Sequence, residues 1–280
     1  MTIRLFDEKN SALPIFLLIL LILFSAPRFA EAGDNIFTSA TVLKEGVKRL
    51  GDEGLEVLKA PIGIQNYGLI TTLAVAGGVG VTYLFDNDIR GKVAGTKGRT
   101  LDTATDVGEV IGNPFVHLGV AGLVYCGGIL ADSPKWRETG EMLGEAAILA
   151  DAASFILKES IGRSRPFVSG DKGNFKPFGF RSDYDSMPSM HAASSFALAS
   201  VMASTSESLL TKALYYSAAA FVGFSRIYQD KHWASDVLLG AAIGELCGRI
   251  VTSYHASHRK IALAPMVTGN SASVALVGSW

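Results

Sequence analysis

The sequence predicts an all-α protein, a six-helix bundle closed by a short hairpin-like tail. Three observations predict it. Six apolar stretches follow one another between residues 67 and 251, each long enough for a helix and none with a strand's alternation. Small residues recur in them (Gly77, Gly78, Gly80, Ser217, Ala218, Ala219, Ala220, Gly240, Ala241, Ala242), a composition that suits close helix contact. The last segment, Ile261 to Trp280, is uncharged and places Gly269-Asn270 between two short apolar runs, as a hairpin does. Two strands cannot make a barrel, so this segment reads as a packing tail.

The chain of 280 residues is 49% apolar and 18% charged, with a net charge of -1. Charged residues usually make up about a quarter of a soluble globular chain. The composition therefore lies between a water-soluble and a membrane protein. Near-neutral charge and the lack of a basic run with interleaved aromatics argue against nucleic acid as a partner. Cys126 and Cys247 lie in apolar stretches and read as two buried thiols, with a disulfide possible but not implied. No CxxC or His/Cys cluster suggests zinc, and no glutamate-rich helix pair suggests a dimetal site, so no metal or other cofactor is expected.

The elements follow in order. Leu13 to Ala26 is an uncharged run of 14 residues preceded by Arg4 and Lys9 and followed by Ala30-Glu31-Ala32. That is the layout of a secretory signal peptide over residues 1–32. The run is short for a membrane anchor, which needs about 20 residues. Residues 33–60 hold an amphipathic helix at 36–50, with Leu43, Val47 and Leu50 on one face, broken by Gly51 to Gly54. The bundle occupies 61–256, in the stretches Tyr67–Phe85, Val110–Ala131, Met142–Leu157, Ala192–Ser206, Ala213–Phe224 and Ala234–Val251. Residues 257–280 form the tail.

Three short motifs carry chemistry, each at a helix end. In Lys158-Glu159-Ser160-Ile161-Gly162-Arg163-Ser164-Arg165-Pro166, Lys158 and Arg165 are seven apart, two turns of one helix face, and Pro166 ends the helix. Two such cations suit a doubly charged phosphate; a solvated helix end is the plainer alternative. Pro188-Ser189-Met190-His191 reads as a loop entering a helix N-terminus, where unpaired N–H groups point at a bound anion. Ser189 adds a donor there or simply caps the helix, and His191 is placed to protonate a leaving oxygen. In Ser225-Arg226-x5-His232-x3-Asp236 a carboxylate stands one turn from a histidine, which would fix its tautomer and make the imidazole a nucleophile. The plainer alternative is a surface pair, against which stands the apolar continuation Val237-Leu238-Leu239.

Lys-x6-Arg-Pro, Pro-Ser-x-His and Ser-Arg-x5-His-x3-Asp together resemble the three-part signature of the phosphatidic acid phosphatase type 2 superfamily, which includes bacterial acid phosphatases and vanadium haloperoxidases. The resemblance runs from about Tyr67 to Val251. It implies a six-helix bundle of the acid phosphatase/vanadium haloperoxidase type and a hydrolase of phosphate monoesters or diphosphates, lipid phosphates foremost, that needs no metal. It implies that His232 is the nucleophile, that Asp236 orients it, and that His191 is the general acid. Lys158, Arg165, Ser189, Arg226 and the Met190 N–H would hold the phosphate oxygens. Met190 stands where the family usually has Gly, which restricts the backbone but keeps its N–H.

The chemistry asks for opposite starting protonation, His232 neutral and His191 charged, and so for a bell-shaped pH profile. Two other functions fit parts of the pattern: vanadium-dependent halide oxidation in the same cradle, and a non-catalytic lipid-binding membrane bundle. Charges inside the helices (Glu145, Asp151, Asp236, Glu245) favour an exported periplasmic or membrane-associated protein over an integral one. The hydrophobic length of Val110 to Ala131 favours the integral inner-membrane alternative. Phe175, Phe178 and Phe180 sit in the loop Ser169 to Met187, expected to wall the entrance. His117, His255 and His258 read as structural or surface residues.

Overall fold

The computed structural model describes residues 36–63, 67–258, 261–268 and 271–278. The expected signal peptide lies outside them. The chain divides into two units, residues 1–48 and 49–280, and the fold below is that of the second.

Helix α1, Ile36–Lys59, runs on into a 3-10 turn, Ala60–Ile62. It does not break at Gly51 to Gly54, as the glycines suggested. A glycine costs up to about 1 kcal/mol in a helix, and packing outweighs it here: Glu53 and Val57 are buried, and a Cβ on Gly54 would be in contact with Leu149 at 3.4 Å.

Helix α2 spans Gly68–Ala94 and α3 spans Arg99–Ile111; α4, Pro114–Leu130, follows after a 59° bend. The sequence reading missed α3 as a helix of its own, because charges interrupt its apolar face. The apolar stretch expected from Val110 to Ala131 is split at Gly112, where a Cβ would meet Val222 Cγ1 at 2.2 Å. Asn113 then caps α4 by accepting the Phe115 N–H, with Pro114 at the first position.

Helix α5, Pro134–Ile161, starts the same way at Ser133 and ends at Gly162, whose positive φ closes the last turn. A loop holding the short helix α6, Pro166–Ser169, and the 3-10 turn Ser182–Tyr184 leads to α7, Met190–Ser204. Helices α8, Leu209–Tyr228, and α9, Ala234–Ser257, complete the bundle. Strands β1, Ile261–Thr268, and β2, Ser271–Gly278, pair antiparallel with Ile261 opposite Gly278, the expected hairpin. Its expected turn, Gly269-Asn270, lies outside the described residues.

The core lies where α4, α5, α7 and α9 meet, with Val57 of α1 on its flank: Ala121, Leu143, Ala146, Ala150, Ala193, Ala197, Val201, Cys247 and Val251 are packed together. Helix α7 is buried nearly all round, which explains its run of alanines and serines. It meets α9 closely because Gly240, Gly244 and Gly248 form a stripe against it. A Cβ on Gly244 would lie 2.0 Å from the Ala193 carbonyl oxygen. Gly77 and Gly80, also expected at close contacts, face open space instead. Cys126 is exposed rather than buried; Cys247 is buried, and both are free thiols.

Helix α2 is long and apolar enough to cross a membrane, and the bent pair α3–α4 passes the same test. Only one residue of α2, Asp86, is buried. Leu69, Ile70, Leu73, Val81, Leu84 and Phe85 of α2 face outward, as do Val116, Val120, Leu123, Ile129 and Leu130 of α4. Apolar patches of this extent are uncommon on water-facing surfaces.

Candidate active site

All three sequence motifs meet at one end of the bundle. Lys158 lies in the last turn of α5, Ser189 and His191 at the start of α7, and Arg226 in the last turn of α8. His232 stands in the connection between α8 and α9, and Asp236 lies in the first turn of α9.

Two local expectations need correction. Lys158 and Arg165 do not share a helix face, because α5 ends at Ile161 and Arg165 is extended at the N-cap of α6. Gly162, not Pro166, stops the helix: its φ of +60° and the Lys176 carbonyl, 2.0 Å from where a Cβ would be, leave room for glycine alone. The two cations converge through a shared carboxylate instead. Arg165 Nε and Nη2 donate to the two Asp185 oxygens at 2.7 and 2.8 Å. Lys158 Nζ donates to the Asp185 carbonyl and lies 3.9 Å from Oδ2.

His232 and Asp236 do not bond each other either. His232 precedes α9, and its Nδ1 lies 2.6 Å from the Ser186 carbonyl oxygen but 3.8 Å from Asp236 Oδ2. A carbonyl only accepts, so Nδ1 carries the proton and Nε2 carries the lone pair. Asp236 acts one residue removed. Its Oδ2 accepts the Ser186 hydroxyl at 2.6 Å and the Trp233 N–H at 2.8 Å, which caps α9 and fixes the segment that holds the histidine.

Behind Asp236 lies a buried ionic knot. Arg163 is fully buried and donates from Nη1 to Asp236 Oδ1 at 2.6 Å and to Ser235 Oγ at 2.7 Å. Its Nη2 donates to Asp86 Oδ2 at 2.7 Å. Asp86 in turn accepts the Ser235 N–H and hydroxyl at 3.0 and 2.6 Å. Trp233 closes the knot, its Nε1 donating to the Ser164 carbonyl at 3.0 Å. Arg90 of α2 holds the same connection by a bidentate pair to Asp230 at 2.6 and 2.7 Å. On the other side, α3 fastens the end of α8: Tyr228 donates to Asp102 at 2.6 Å, and Arg226 pairs with Glu109 at 3.2 Å.

Sequence reasoning missed Arg163, Asp86, Asp185 and Ser186. Two of them left a signal. Arg163 is the extra cation inside the first motif, and Asp86 is a carboxylate at the end of an apolar run.

Ser189 is the N-cap of α7 by position, yet its hydroxyl makes no cap bond. The Oγ is buried without a hydrogen-bond partner among the described residues. Its backbone N–H donates to the Asp236 carbonyl at 3.0 Å, which joins the starts of α7 and α9. Met190 is the first residue of α7, and the N–H groups of a first helical turn lack intrahelical acceptors.

The electrostatics follow from burial among cations. Burial pushes Lys158 down to about 8, against the pull of Asp185. His232 falls well below its ordinary value through burial and then through Lys158, Arg165 and Arg226. His191 does so too, through burial and then Arg226, His232 and Lys158. Both shifts thus run the same way, toward the neutral imidazole, rather than apart as the expected split of one neutral and one charged histidine asks. Burial would raise Asp185, but its Arg165 hydrogen bonds and Lys158 hold it below the usual carboxylate range. The site holds an excess of positive charge, an open imidazole nitrogen and an unused hydroxyl at a helix N-terminus. That combination suits a multiply charged oxyanion.

Residues 142–260 match the PAP2 superfamily. The chain is 29% identical over 248 residues to the lipid A 1-phosphatase of Porphyromonas gingivalis, across 84% of this chain and 49% of that one. It thus spans about half the length of that relative. Among solved structures it resembles Aquifex aeolicus LpxE, with 24% identity and a TM-score of 0.45 over 60% of this chain and 94% of the other. It also shares the fold of a transmembrane PAP2 type phosphatidylglycerolphosphate phosphatase from Bacillus subtilis. That match has 18% identity and a TM-score of 0.51 over 71% of this chain and 98% of that one.

Proposed function

With residues 142–260 belonging to the PAP2 superfamily, we propose that this protein is a membrane-associated phosphatase that removes phosphate from a lipid head group through a phosphohistidine at His232. The carrying observation is the bond from His232 Nδ1 to the Ser186 carbonyl, which leaves the lone pair on Nε2 of a buried ring that feels Lys158, Arg165 and Arg226.

The chemistry balances with this chain's own groups. Lys158, Arg165, Arg226, Ser189 and the Met190 N–H hold the non-reacting oxygens. His232 Nε2 attacks phosphorus, the bond to the leaving oxygen breaks, and His191 gives that oxygen a proton. Water then attacks the phosphohistidine, His191 takes its proton, and inorganic phosphate leaves with His232 restored. His191 must be charged for the first step, and the free site disfavours that. A bound phosphate dianion opposes the Coulombic part of the shift, so substrate binding itself favours a protonated His191. Asp236 stabilises the imidazolium through the Ser186 segment rather than by direct contact.

The lipid part of the reading rests on surface chemistry and on the named relative. The outward apolar faces of α2 and α4 favour a membrane-embedded protein over a freely soluble domain. Phe178 and Phe180, 68% and 75% exposed, stand on the loop between the first two motifs and suit an acyl chain at the entrance. The relative named for lipid A 1-phosphate makes a phosphorylated glycolipid the first substrate to try. Export to the periplasm belongs to the same reading.

The test is phosphate release in mild detergent with EDTA present, from phosphatidate, a prenyl diphosphate, lipid A and soluble monoesters. Wild type should release phosphate from at least one lipid, and His232→Ala should lose about 10⁴-fold or more. Release confined to soluble monoesters would overturn the lipid assignment, and an active His232→Ala protein would overturn the mechanism. Retention in the membrane pellet after carbonate extraction is expected; release into the supernatant would overturn the embedding.

A further inference from the structure

A second polar cluster lies far from the phosphate site. Glu53 of α1, Glu145 of α5 and His255 of α9 are all buried, and each places one ligand atom within 4.8 Å of the others. His255 Nε2 is 2.7 Å from Glu145 Oε2 and 3.7 Å from Glu53 Oε1. The other ring nitrogen, Nδ1, faces Glu138 Oε1 at 3.6 Å. Glu145 Oε1 accepts from Arg49 Nε at 2.7 Å, and Arg49 Nη2 donates to Glu141 Oε2 at 2.9 Å. On α5, Glu145 is thirteen residues from Lys158, about 20 Å along the helix.

Two features set this cluster apart from an ordinary ion-pair network. Glu53 is fully buried, and neither of its oxygens has a hydrogen-bond partner among the described residues. A buried carboxylate with no hydrogen bond is among the costlier groups to leave in a fold. Acidic groups also crowd it: among the described residues Glu53 and Glu145 stand beside His255, and Glu141 and Glu145 share Arg49.

We propose that Glu53, Glu145 and His255 bind a first-row divalent cation, of the zinc or manganese class, which clamps α1 to α5 and α9 at the end of the bundle remote from the phosphate site. One imidazole and two carboxylates are a donor set for such ions. Bonds of about 2.0–2.2 Å need donor atoms roughly 3.0–3.5 Å apart, within the spread seen here. Glu138 beside Nδ1 and Arg49 on the outer oxygen of Glu145 are the partners that orient a ligating histidine and carboxylate. The ligands come from three helices, 92 and 110 residues apart in sequence, so no spacing motif announces them. A site with one ligand per helix also lacks the glutamate-rich helix pair of a dimetal site.

The clamp acts on stability, so its test is separate from phosphatase activity. Tag-free protein in mild detergent is stripped with EDTA, and Zn²⁺ and Mn²⁺ are titrated while metal content and the thermal midpoint are read. One of the two should bind at one equivalent per chain and raise the midpoint by about 5 °C when about 100-fold above its dissociation constant. Glu53→Gln should lose at least tenfold in affinity, whereas replacing the exposed His258 with Ala should leave binding unchanged. Wild-type protein with neither stoichiometric metal nor a shifted midpoint would overturn the proposal. So would a Glu53→Gln protein that still binds as wild type does.

Discussion

Replacing Arg163 with Ala removes the cation paired with two fully buried carboxylates, Asp86 and Asp236. The side chain lost is itself wholly buried and makes hydrogen bonds at 2.6 to 2.7 Å to both carboxylates and to Ser235. Removing one partner of a buried pair costs about 3–5 kcal/mol, because the charge left behind has no compensation. Burial already raises Asp236, with Arg163 as its leading opposing charge, so in the variant this carboxylate moves further toward the neutral form. For a unit of this size each kcal/mol shifts the midpoint by about 2–4 °C, which gives a fall of about 6–20 °C. Differential scanning fluorimetry in detergent reads it directly. Double replacement with Asp86→Asn should cost less than the sum of the two singles, since both break one network. An Arg163→Ala protein that melts within about 2 °C of wild type would refute the claim that the knot holds the His232 segment.

The remaining expectations are simpler. The profile of kcat/KM against pH reports free-enzyme groups. Its alkaline limb should fall near pH 8, where Lys158 gives up its charge, and its acid limb should lie below 6.5, where His232 gains a proton. Because the folded value of Lys158 is lowered, its contribution to stability rises between about pH 8 and 10.5 while its contribution to phosphate binding falls. Lys158→Arg keeps the charge and should push the alkaline limb upward by more than a unit; an unmoved limb would assign it to another group. Gly244→Ala drives a methyl into the Ala193 carbonyl and should lower the thermal midpoint by about 5 °C or more, whereas Gly80→Ala, in open space, should leave it unchanged or slightly higher. Equal midpoints for the two would show that α7 and α9 can separate without loss.

What was legible in the sequence is local. The three motifs could be read because each sits within one helix end and its connection, where residue spacing and three-dimensional spacing agree. The roles inside them were less legible. Lys158 and Arg165 meet through Asp185 rather than along a helix, and Gly162 alone decides that. The partner of His232 is a backbone carbonyl, which no side-chain pattern can show. Helix α3 was missed because the apolar count began at Val110, while its work is polar: Asp102 and Glu109 hold the end of α8. The glycines at 51 and 54 misled in the opposite sense, since a local cost of about 1 kcal/mol yields to burial of the same turn. Asp86 and Arg163 are 77 residues apart and meet only in the fold.

Helix α2 is fastened to the catalytic end of the bundle by a few polar side chains near its C-terminal end, Asp86, Tyr83 and Arg90. Twenty-seven residues long, it fully buries only Asp86, and that one carboxylate reaches the base of the segment that holds His232. Mutational drift should therefore act on it very unevenly. Apolar residues facing outward can exchange for one another with little penalty, so over time the helix loses any recognisable text. Position 86 cannot drift without leaving Arg163 to Asp236 alone and Ser235 without its carboxylate. The family match, which begins at residue 142, leaves this helix out. An aligned set of relatives would then show a fixed acid at 86 and a fixed arginine at 90 in a span whose outward positions vary freely, lying ahead of the region by which the family is recognised.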